Sequence, residues 1–370
     1  MVIYVNNNRG INEAKSELTI NGPKDSFNED IDINYTLITK RIKKNLNTID
    51  FNIGRLSNTK IKLLYINKIT DKRLIKNIEN RLNKIDIDAI IDSSYLKNSL
   101  EDNKNLFPTI IETERPDKAS MALLEGKVVI LVDNSPYCLI LPNLFFDLFH
   151  TPDDYYQKQF NTTFIRIIRI IAFLIAIFLP GTYIAVTTRN YDIVPLNILL
   201  IFKAGRVFVP FPAYLEALFM IISFEILREG DLRMSNAASS SISILGGLIL
   251  GDAAVAAGIV SPIMIIIIAI SSISGLIFPS QELINTIRIY KIFNLLLSSI
   301  LGVYGTIICL IIIINNIIKT KIFGYSYLDY DKYELLDTII KYNTKIKRRN
   351  TKLTNNKIRG RYKWKKYFYW

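Results

Sequence analysis

The sequence has few of the residues that build metal centres, disulfides and many catalytic sites. It contains one histidine, His150, and two cysteines, Cys138 and Cys309, among 370 residues. Cys309 lies inside an apolar run, so no disulfide or metal framework is indicated. A Gly-rich phosphate-binding motif, a nucleophile elbow and a Ser-His-Asp arrangement are also missing from the sequence. We therefore expect a protein that is not an enzyme and that has neither a metal site nor a bound cofactor.

The first residues, MVIYVNNNRGINEAKSE, lack a basic segment followed by an apolar core. They do not predict a cleaved secretion signal, so we expect the first part of the chain to stay in the cytoplasm. Residues 1–50 are rich in Asn, Lys, Asp and Ile and show little periodicity. This composition predicts a poorly ordered polar lead-in with one helix near Tyr35–Leu46.

Charge and hydropathy are distributed unevenly along the chain. The net charge is +13 and half of the residues are hydrophobic. Between Lys319 and Trp370, 15 Lys+Arg stand against 4 Asp+Glu, so this tail carries +11. Before it come about 155 residues dominated by apolar side chains. We therefore predict a soluble part at 51–158, a membrane bundle at 159–319 and a basic cytosolic tail at 320–370.

Alternating strand and helix patterns predict that residues 51–158 form an α/β domain. Lys60–Ile69 has the apolar run of a buried strand, and Thr70 or Asp71 can cap the helix that follows. In Lys127–Pro142, two apolar runs flank turn residues and predict a β-hairpin. The remaining predicted elements are helices near Ala89–Leu96 and Lys118–Glu125, an extended Thr109–Thr113, and an aromatic rim of Phe145–Phe149, Tyr155 and Tyr156 before the membrane.

The apolar stretch after residue 158 predicts a polytopic helical bundle. Phe164–Thr187 is long enough to cross about 30 Å of hydrocarbon, with a kink at Pro180 and Gly181. Further candidate spans are Val207–Leu227, Ser240–Val260, Ile263–Phe278 and Ile292–Ile318, and Asp192–Phe202 is short enough to be a half-helix.

The basic tail bears on the number of spans. Five spans after a cytosolic domain would place the tail outside, against the tendency of Lys and Arg to remain inside. An even number is preferred, so either Asp192–Phe202 contributes to a sixth span or Ser240–Val260 does not cross. The short loop Arg228–Arg233 and a loop at Arg288 and Lys291 fit an inside location in both schemes.

Acidic residues within the apolar stretch are candidates for function, because burying them in a membrane is costly. Glu216 and Glu225 are nine residues apart and lie on opposite helix faces, so they are not a paired acid–base site. Glu216 has no partner nearby in sequence. Glu225 can pair with Arg228, and Glu229 with Arg233, which predicts structural ion pairs.

Asp252 lies in the small-residue stretch GGLILGDAAVAAG, Gly246–Gly258. Gly247 and Gly251 have the spacing that lets helices approach closely, and helix packing is the simpler interpretation for them. An aspartate in such a stretch has to face protein, water or an ion. Asp252 is therefore a candidate for a role in permeation.

Basic residues at the ends of the apolar stretch suggest contacts with lipid. Arg166 and Arg169 begin the first span, where long side chains reach phosphate headgroups. The tail most simply binds anionic lipid at the inner face. Aromatic residues interleaved with Lys and Arg in the tail also occur in nucleic-acid-binding segments, but a tail attached to a membrane bundle favours lipid.

Three long segments of the sequence resemble the A subunit of GerA-type spore germinant receptors. These are TERPDKASMALLEGKVVILVDNSPYCLILPNLFFDLFHTPDDYYQ (Thr113–Gln157), PFPAYLEALFMIISFEILREGDLRM (Pro210–Met234) and GGLILGDAAVAAGIVSPIMIIIIAISSISGLIFPSQEL (Gly246–Leu283). The resemblance extends over about Leu64 to Ile340. It departs in the N-terminal region, which is longer in the family, and after Phe323 and Gly324, where the family has a proline-rich stretch.

The resemblance implies a multi-pass protein of the spore inner membrane with a cytoplasmic N-terminal domain. In the family, this subunit acts with B and C subunits to sense nutrients and to trigger germination. The resemblance also implies a homo-oligomer that passes monovalent cations, with Glu216, Gly247, Gly251 and Asp252 as pore or gating candidates. Partners would be these subunits and membrane lipids, and not nucleic acid. Two other functions remain open from the sequence: a secondary transporter of small solutes and a non-conducting membrane scaffold.

Overall fold

The computed structural model describes residues 13–14, 17, 19, 21–101, 105–233, 247, 251–328 and 340–341. The chain divides into two units. A sheet unit comprises Met1–Ile167 and Asn316–Trp370, and a helical unit comprises Ile168–Asn315. The first unit combines helices with a β-sheet and the second is helical, so the coarse division expected from the sequence is present.

The sheet unit contains a five-stranded sheet in which every pair of neighbouring strands is antiparallel. The strand order is β1-β2-β4-β5-β3. The strands are β1 (Leu46–Ile53), β2 (Thr59–Ile66), β3 (Ile111–Thr113), β4 (Val128–Val132) and β5 (Cys138–Leu141). All five residues of β4 are buried, as expected for a central strand covered on both faces. The hairpin predicted at Lys127–Pro142 is confirmed as β4 and β5.

Four helices of the sheet unit lie between residues 31 and 124. They are α1 (Ile31–Arg41), α2 (Lys72–Leu82), α3 (Ser93–Leu100) and α4 (Pro116–Leu124). Asp71, one of the two residues predicted to cap α2, accepts a hydrogen bond from the backbone N–H of Arg73 and so caps this helix. Apolar residues of α1 and α4, including Ile38 and Leu123, pack with Leu64 and Val129 in one core.

The lead-in differs from the sequence expectation. The helix predicted near Tyr35–Leu46 lies earlier, at Ile31–Arg41, and Leu46 begins an edge strand. Arg115 holds part of the lead-in. Its Nη1 donates to the hydroxyl of Thr19 at 2.7 Å, and its Nη2 donates to the carbonyl oxygen of Pro23 at 2.8 Å. The lead-in from residue 21 onward is therefore part of the packed unit.

Two of the aromatic residues that were predicted to form a rim before the first apolar helix are buried instead. Phe145 and Phe149 lie in a 3-10 turn, Phe145–Phe149, and are buried. Their ring centroids are 5.4 Å apart, and Phe145 also contacts Phe107 and Tyr327. Tyr327 follows a two-stranded β6–β7 hairpin, Lys321–Ile322 and Tyr325–Ser326. The rings therefore stabilise the sheet unit and join its two chain segments.

The remaining helices follow in order. They are α5 (Asp153–Tyr156), α6 (Gln159–Ile184) with a π-helical turn at Ala185–Arg189, α7 (Leu196–Ala204), α8 (Ala213–Arg233), α9 (residues 251–256), α10 (Pro262–Gly275), α11 (Gln281–Leu301) and α12 (Val303–Lys319). Among the described residues, one helix, Gln159–Arg189, is long and apolar enough to cross a membrane, and α10 and α12 are shorter apolar helices. A polytopic bundle therefore remains a prediction.

Two boundaries in the apolar region differ from the sequence expectation. The single span predicted at Ile292–Ile318 is divided at Gly302, whose φ of +62° and ψ of −140° end α11. The loops predicted at Arg228–Arg233 and at Arg288 and Lys291 are helical, within α8 and α11. Apolar composition continues through Gly302, so hydropathy does not locate that break, and charged residues such as Arg228 and Arg288 occur within helices as well as in loops.

Candidate functional site

The carboxylate of Glu216 joins three segments of the helical unit. Glu216 lies in the first turn of α8 and is 1 % exposed. Its Oε1 accepts hydrogen bonds from Nε and Nη2 of Arg206, at 3.1 and 2.9 Å. Its Oε2 accepts from the backbone N and the hydroxyl of Ser261, both at 3.1 Å. We call these three residues the Glu216 clamp.

Local sequence explains the position of each member of the clamp. Arg206 follows Gly205, the C-cap residue of α7, and Pro212 directly precedes α8. Ser261 is the N-cap residue of α10, with Pro262 as the first helical residue. The hydroxyl of Ser261 makes no capping bond to its own helix and donates to Glu216. The carboxylate thus lies at the N-terminal ends of α8 and α10, where helix dipoles favour a negative charge.

The clamp lies beside an apolar core. Ala217, Met220, Met264 and Ile268 of α8 and α10 are fully buried there. Tyr183 of α6 belongs to the same core, and its buried hydroxyl is within electrostatic reach of Arg206 and Glu216. A buried carboxylate with all of its acceptor positions used is a rigid connection. Breaking it would expose an unpaired charge, so the arrangement suits an element that holds one conformation.

Asp252 is not a member of the Glu216 clamp. Asp252 lies in α9 and is exposed in the single chain. A Cβ added to Gly251 would meet only Cγ2 of Ile265, at 4.0 Å, and one added to Gly247 would meet no described atom within 4 Å. Close helix packing through these two glycines is therefore not seen among the described residues. The roles of Asp252, Gly247 and Gly251 in permeation or gating stay predictions.

Glu225 has a different partner from the one that the sequence suggested. Nε of Arg288, on α11, lies 3.0 Å from Oε2 of Glu225, so the ion pair connects two helices. Arg228 instead donates to the side-chain oxygen of Gln281 at 3.3 Å. The predicted pairing of Glu229 with Arg233 falls outside the described side chains, because that of Arg233 is not described.

The two arginines at the start of α6 do not extend toward headgroups. Arg166 is 1 % exposed, and its Nε lies 3.3 Å from Oδ2 of Asp154 within the sheet unit. Arg169 is also buried. The prediction of headgroup contact is wrong for Arg166, because an aspartate in the preceding short helix compensates its charge.

Close helix contacts occur at glycines that the sequence reasoning did not identify. A Cβ added to Gly181 would overlap with the side chain of Asn294, and one added to Gly305 would overlap with the backbone of Leu297. The side-chain amide of Asn294 donates to the carbonyl oxygen of Ile177 at 3.2 Å. Asn294 is the one polar residue in the stretch Ile292–Leu297, and this was the signal that could have identified it.

A metal-binding group of three or more His, Cys, Asp or Glu side chains is not present among the residues that the structure describes. The sites with specific polar geometry in the helical unit are therefore ion pairs and hydrogen bonds between helices. Such contacts can hold two helices in one arrangement when they are formed and let the helices move when they are broken.

A family model described as Bacillus/Clostridium GerA spore germination protein matches residues 2–353. Spore germination protein KA of Bacillus subtilis (strain 168) is 38 % identical over 322 residues, which cover 86 % of this chain and 59 % of that protein. Spore germination protein B1 of the same organism is 34 % identical over 351 residues, covering 93 % of this chain and 73 % of that protein.

Spore germination protein A1 of Bacillus subtilis is 35 % identical over 321 residues, covering 86 % of this chain and 67 % of that protein. Among solved structures, the N-terminal domain of the A subunit of the Bacillus megaterium spore germinant receptor GerK3 is 40 % identical. It covers 32 % of this chain and 97 % of the domain, with a TM-score of 0.28. The chain spans about three fifths of the length of the protein KA that it matches.

Proposed function

The chain belongs to the GerA family of spore germination proteins, and from this premise we propose that it is the A subunit of a nutrient germinant receptor. It resides in the spore inner membrane with its N-terminal part in the cytoplasm, and it acts with B and C partner subunits to trigger germination. Copies of the chain assemble into an oligomer that conducts monovalent cations when the receptor senses a germinant. The family match over residues 2–353 is the observation that carries the germination role.

The Glu216 clamp supports a gating role within this function. It fixes the N-terminal ends of α8 and α10 through a fully buried carboxylate. A small displacement at such a group can switch the helices between two discrete arrangements, because the buried ion pair is either formed or broken. The closed receptor has the clamp formed, and opening requires movement of α10 relative to α8.

Asp252 is the proposed contact for the cation. It is an exposed carboxylate in a segment rich in Gly and Ala, and such a group in an apolar region marks an ion pathway. In the oligomer, α9 faces the conduction path and Asp252 attracts the cation.

Cation flux from liposomes tests the conduction step. The full chain with its partner subunits is reconstituted with potassium inside, and efflux is followed after germinant addition. We expect Asp252→Asn to lower the flux by about tenfold, corresponding to a loss of roughly 1.4 kcal/mol at the site. Asp192→Asn is the matched control, since Asp192 is also an exposed acid of the helical unit. Equal flux from both variants would remove Asp252 from the pore.

The same assay tests the gate. Glu216→Gln keeps the shape of the side chain but removes the charge that holds Arg206 and Ser261. We expect efflux without germinant in this variant, because the closed arrangement loses its buried ion pair. Glu225→Gln is the control, since it alters a different interhelical pair. Absence of basal efflux from Glu216→Gln, with normal insertion, would contradict the gating role.

A secondary transporter is the second candidate, and the break at Gly302 and the short helix α7 favour it, because transporters use interrupted helices. Solute accumulation driven by an ion gradient, rather than passive efflux, would identify this function. A non-conducting scaffold is the third candidate. Deleting residues 342–370 would then abolish partner assembly, whereas a channel would keep its flux.

Membrane location and orientation are tested by cysteine accessibility. Single cysteines at Arg189, Gly230, Pro262 and Lys352 are labelled from each side of the membrane. Cys138 and Cys309 are buried, so background labelling of the folded chain is expected to be low. Labelling of position 352 from the cytoplasmic side is expected, and labelling from the opposite side would contradict the proposed orientation.

A further inference from the structure

Lys291 is a buried cation without an acceptor. It lies in the middle of α11 and is 4 % exposed. In the part of the chain that the structure describes, its ammonium group has neither a hydrogen bond nor an ion pair. Buried lysines are rare unless they are paired, so this group requires an explanation.

Two of the three charged groups that act on Lys291 are themselves positive. The charged groups that act on it are Glu225 and Arg228 of α8 and Arg288 of its own helix. Glu225 is engaged by Arg288 at 3.0 Å, and Arg228 bonds to the neutral Gln281. We call Arg228, Arg288 and Lys291 the cation cluster.

One carboxylate faces three cations, so the cluster carries an excess of two positive charges. The sequence between α8 and α9 does not supply the missing anion, because residues 234–250 contain no Asp or Glu. Asp231, one turn further along α8, does not contribute to the charges that act on Arg228 or Lys291. An uncompensated charge is costly in a region of low dielectric constant. The compensating anion therefore comes from outside the helical unit.

Exposed apolar side chains on the two helices that carry the cluster indicate which kind of anion fits. Ile226 of α8 is 68 % exposed, Ile289 of α11 is 49 % exposed, and Phe293 is also exposed on α11. A ligand that covers both parts of this surface has a negative group next to hydrocarbon. Phospholipids have this chemistry, and basic pockets between membrane helices bind anionic headgroups.

We propose that the cation cluster binds the phosphate group of an anionic phospholipid, whose acyl chains lie against Ile226 and Ile289. Lys291 and Arg288 contact the phosphate oxygens, and Arg228 lies at the edge of the site. This inference rests on the membrane location proposed above. It assigns the lipid to a defined position in the helical unit, separate from the basic tail.

Lipid retention tests the proposal. The full chain is placed in nanodiscs of phosphatidylcholine with and without phosphatidylglycerol, and retained lipids are identified by native mass spectrometry. We expect the wild type to retain phosphatidylglycerol over phosphatidylcholine by about fivefold or more, the factor for one basic side chain at an anionic surface. Lys291→Met is expected to lose this preference, and Lys291→Arg to keep it. Lys203→Met, which alters an exposed lysine over the ring of Tyr191, is the control.

Thermal unfolding gives a second measurement that a purely structural role would not reproduce. Phosphatidylglycerol should raise the unfolding temperature of the wild type more than that of Lys291→Met, because the variant has one uncompensated positive charge where the wild type has two. If Lys291→Met does not fold, Arg288→Gln provides the same comparison.

Three results would overturn the proposal. One is equal lipid retention by Lys291→Met and the wild type. Another is binding of inorganic phosphate as strong as that of the lipid, which would indicate a site for a free anion. The third is cross-linking of position 291 to an acidic residue of another protein chain. Because no germinant is present, failure here leaves the germination role intact, whereas failure to insert into any nanodisc would contradict the membrane location itself.

Discussion

The hydroxyl of Ser271 donates a hydrogen bond of 2.9 Å to the carbonyl oxygen of Ala176. Ala176 is four residues before Pro180, so this carbonyl is the one that loses its helical donor to the proline ring. Helix α10 thus satisfies a backbone group that the sequence of α6 leaves open. In a hydrocarbon environment no water can replace this donor.

The first prediction follows from this bond. Ser271→Ala should lower the free energy of unfolding by about 1 kcal/mol, the usual value for a hydrogen bond between membrane helices. Thermal unfolding of the purified chain in detergent measures the change. Ser272→Ala is the control, because the neighbouring serine makes no described bond to another helix.

A double-mutant cycle tests whether Ser271 stabilises the chain through the unpaired carbonyl of Ala176. Pro180→Ala restores a backbone N–H four residues after Ala176, so Ser271→Ala should cost less in that background. Equal costs with and without the proline would show that the serine acts through packing rather than through the unpaired carbonyl.

Gly302 carries the second prediction. Its positive φ, with ψ near −140°, is a conformation that almost only glycine adopts. An added Cβ would overlap with Oδ1 of Asn190, which accepts a hydrogen bond from the backbone N of Val303 at 3.0 Å. Gly302→Ala should therefore destabilise the chain by about 1–3 kcal/mol.

Gly230→Ala provides the matched control for Gly302→Ala. Gly230 lies within α8, and no atom would contact an added Cβ within 4 Å. Alanine should stabilise that helix by up to about 1 kcal/mol. Opposite shifts of the unfolding temperature are expected, and a neutral Gly302→Ala would mean that the break between α11 and α12 does not depend on the glycine.

The elements that the sequence predicted well are those with local patterns. Helix α2 has its apolar residues at helical spacing after a capping aspartate, and the hairpin has two β-rich runs around a turn. Both patterns lie within about 16 residues. Their boundaries in the structure differ from the predicted ones by a few residues, because the ends of elements depend on tertiary contacts.

The missed features depend on residues that are distant in sequence. Strand β2 pairs with β4 across about 60 residues, and no local pattern specifies that neighbour. Glu216 and Ser261 are 45 residues apart, and Glu225 and Arg288 are also on different helices. Sequence spacing favoured partners one helical turn away, whereas the structure uses pairs between helices. The candidate acids could be found from hydropathy, but their partners could not.

The third prediction concerns pH. Arg115 and Asp117 form a buried bidentate pair, with N–O distances of 3.0 and 2.9 Å, and Tyr156 donates to the same carboxylate. Burial alone would raise the pKa of Asp117, but the bonds from Arg115 and Tyr156 outweigh it and lower the pKa below its usual value. The carboxylate thus favours the folded state when it is charged.

The sign of the pH effect follows from this pKa. The stabilisation is present above the unfolded-state pKa, near about 4, and is lost as the pH falls through the lower folded-state pKa. Asp117→Asn should lose about 3–5 kcal/mol at neutral pH, the cost of leaving a buried partner unpaired. Its unfolding free energy should also change less with pH below about 4. Asp88→Asn, which alters an exposed acid, is the control. Parallel pH profiles for Asp117→Asn and the wild type would contradict this account.

The fourth prediction concerns Lys341 of the basic tail, which is 4 % exposed. Its ammonium donates to the carbonyl oxygens of Asp154, Tyr155 and Gln157, at 2.5, 3.2 and 2.7 Å, at the C-terminal end of α5. Its backbone N donates to the hydroxyl of Thr163 at 3.2 Å. A cation at this position satisfies carbonyl groups that the helix leaves open.

Lys341→Met should release this attachment, because the methionine side chain offers no donor to the three carbonyl groups. We expect the amide of residue 341 to exchange with deuterium at least about tenfold faster, since a hydrogen bond to a charged group contributes roughly 1.5–3 kcal/mol. Lys319→Met is the control, because Lys319 is exposed at the end of α12. If exchange at residue 341 is unchanged in Lys341→Met, the backbone bond to Thr163 holds the segment by itself. If exchange accelerates, the ammonium of Lys341 is held by protein carbonyl groups, and this charge of the basic tail is not available for lipid.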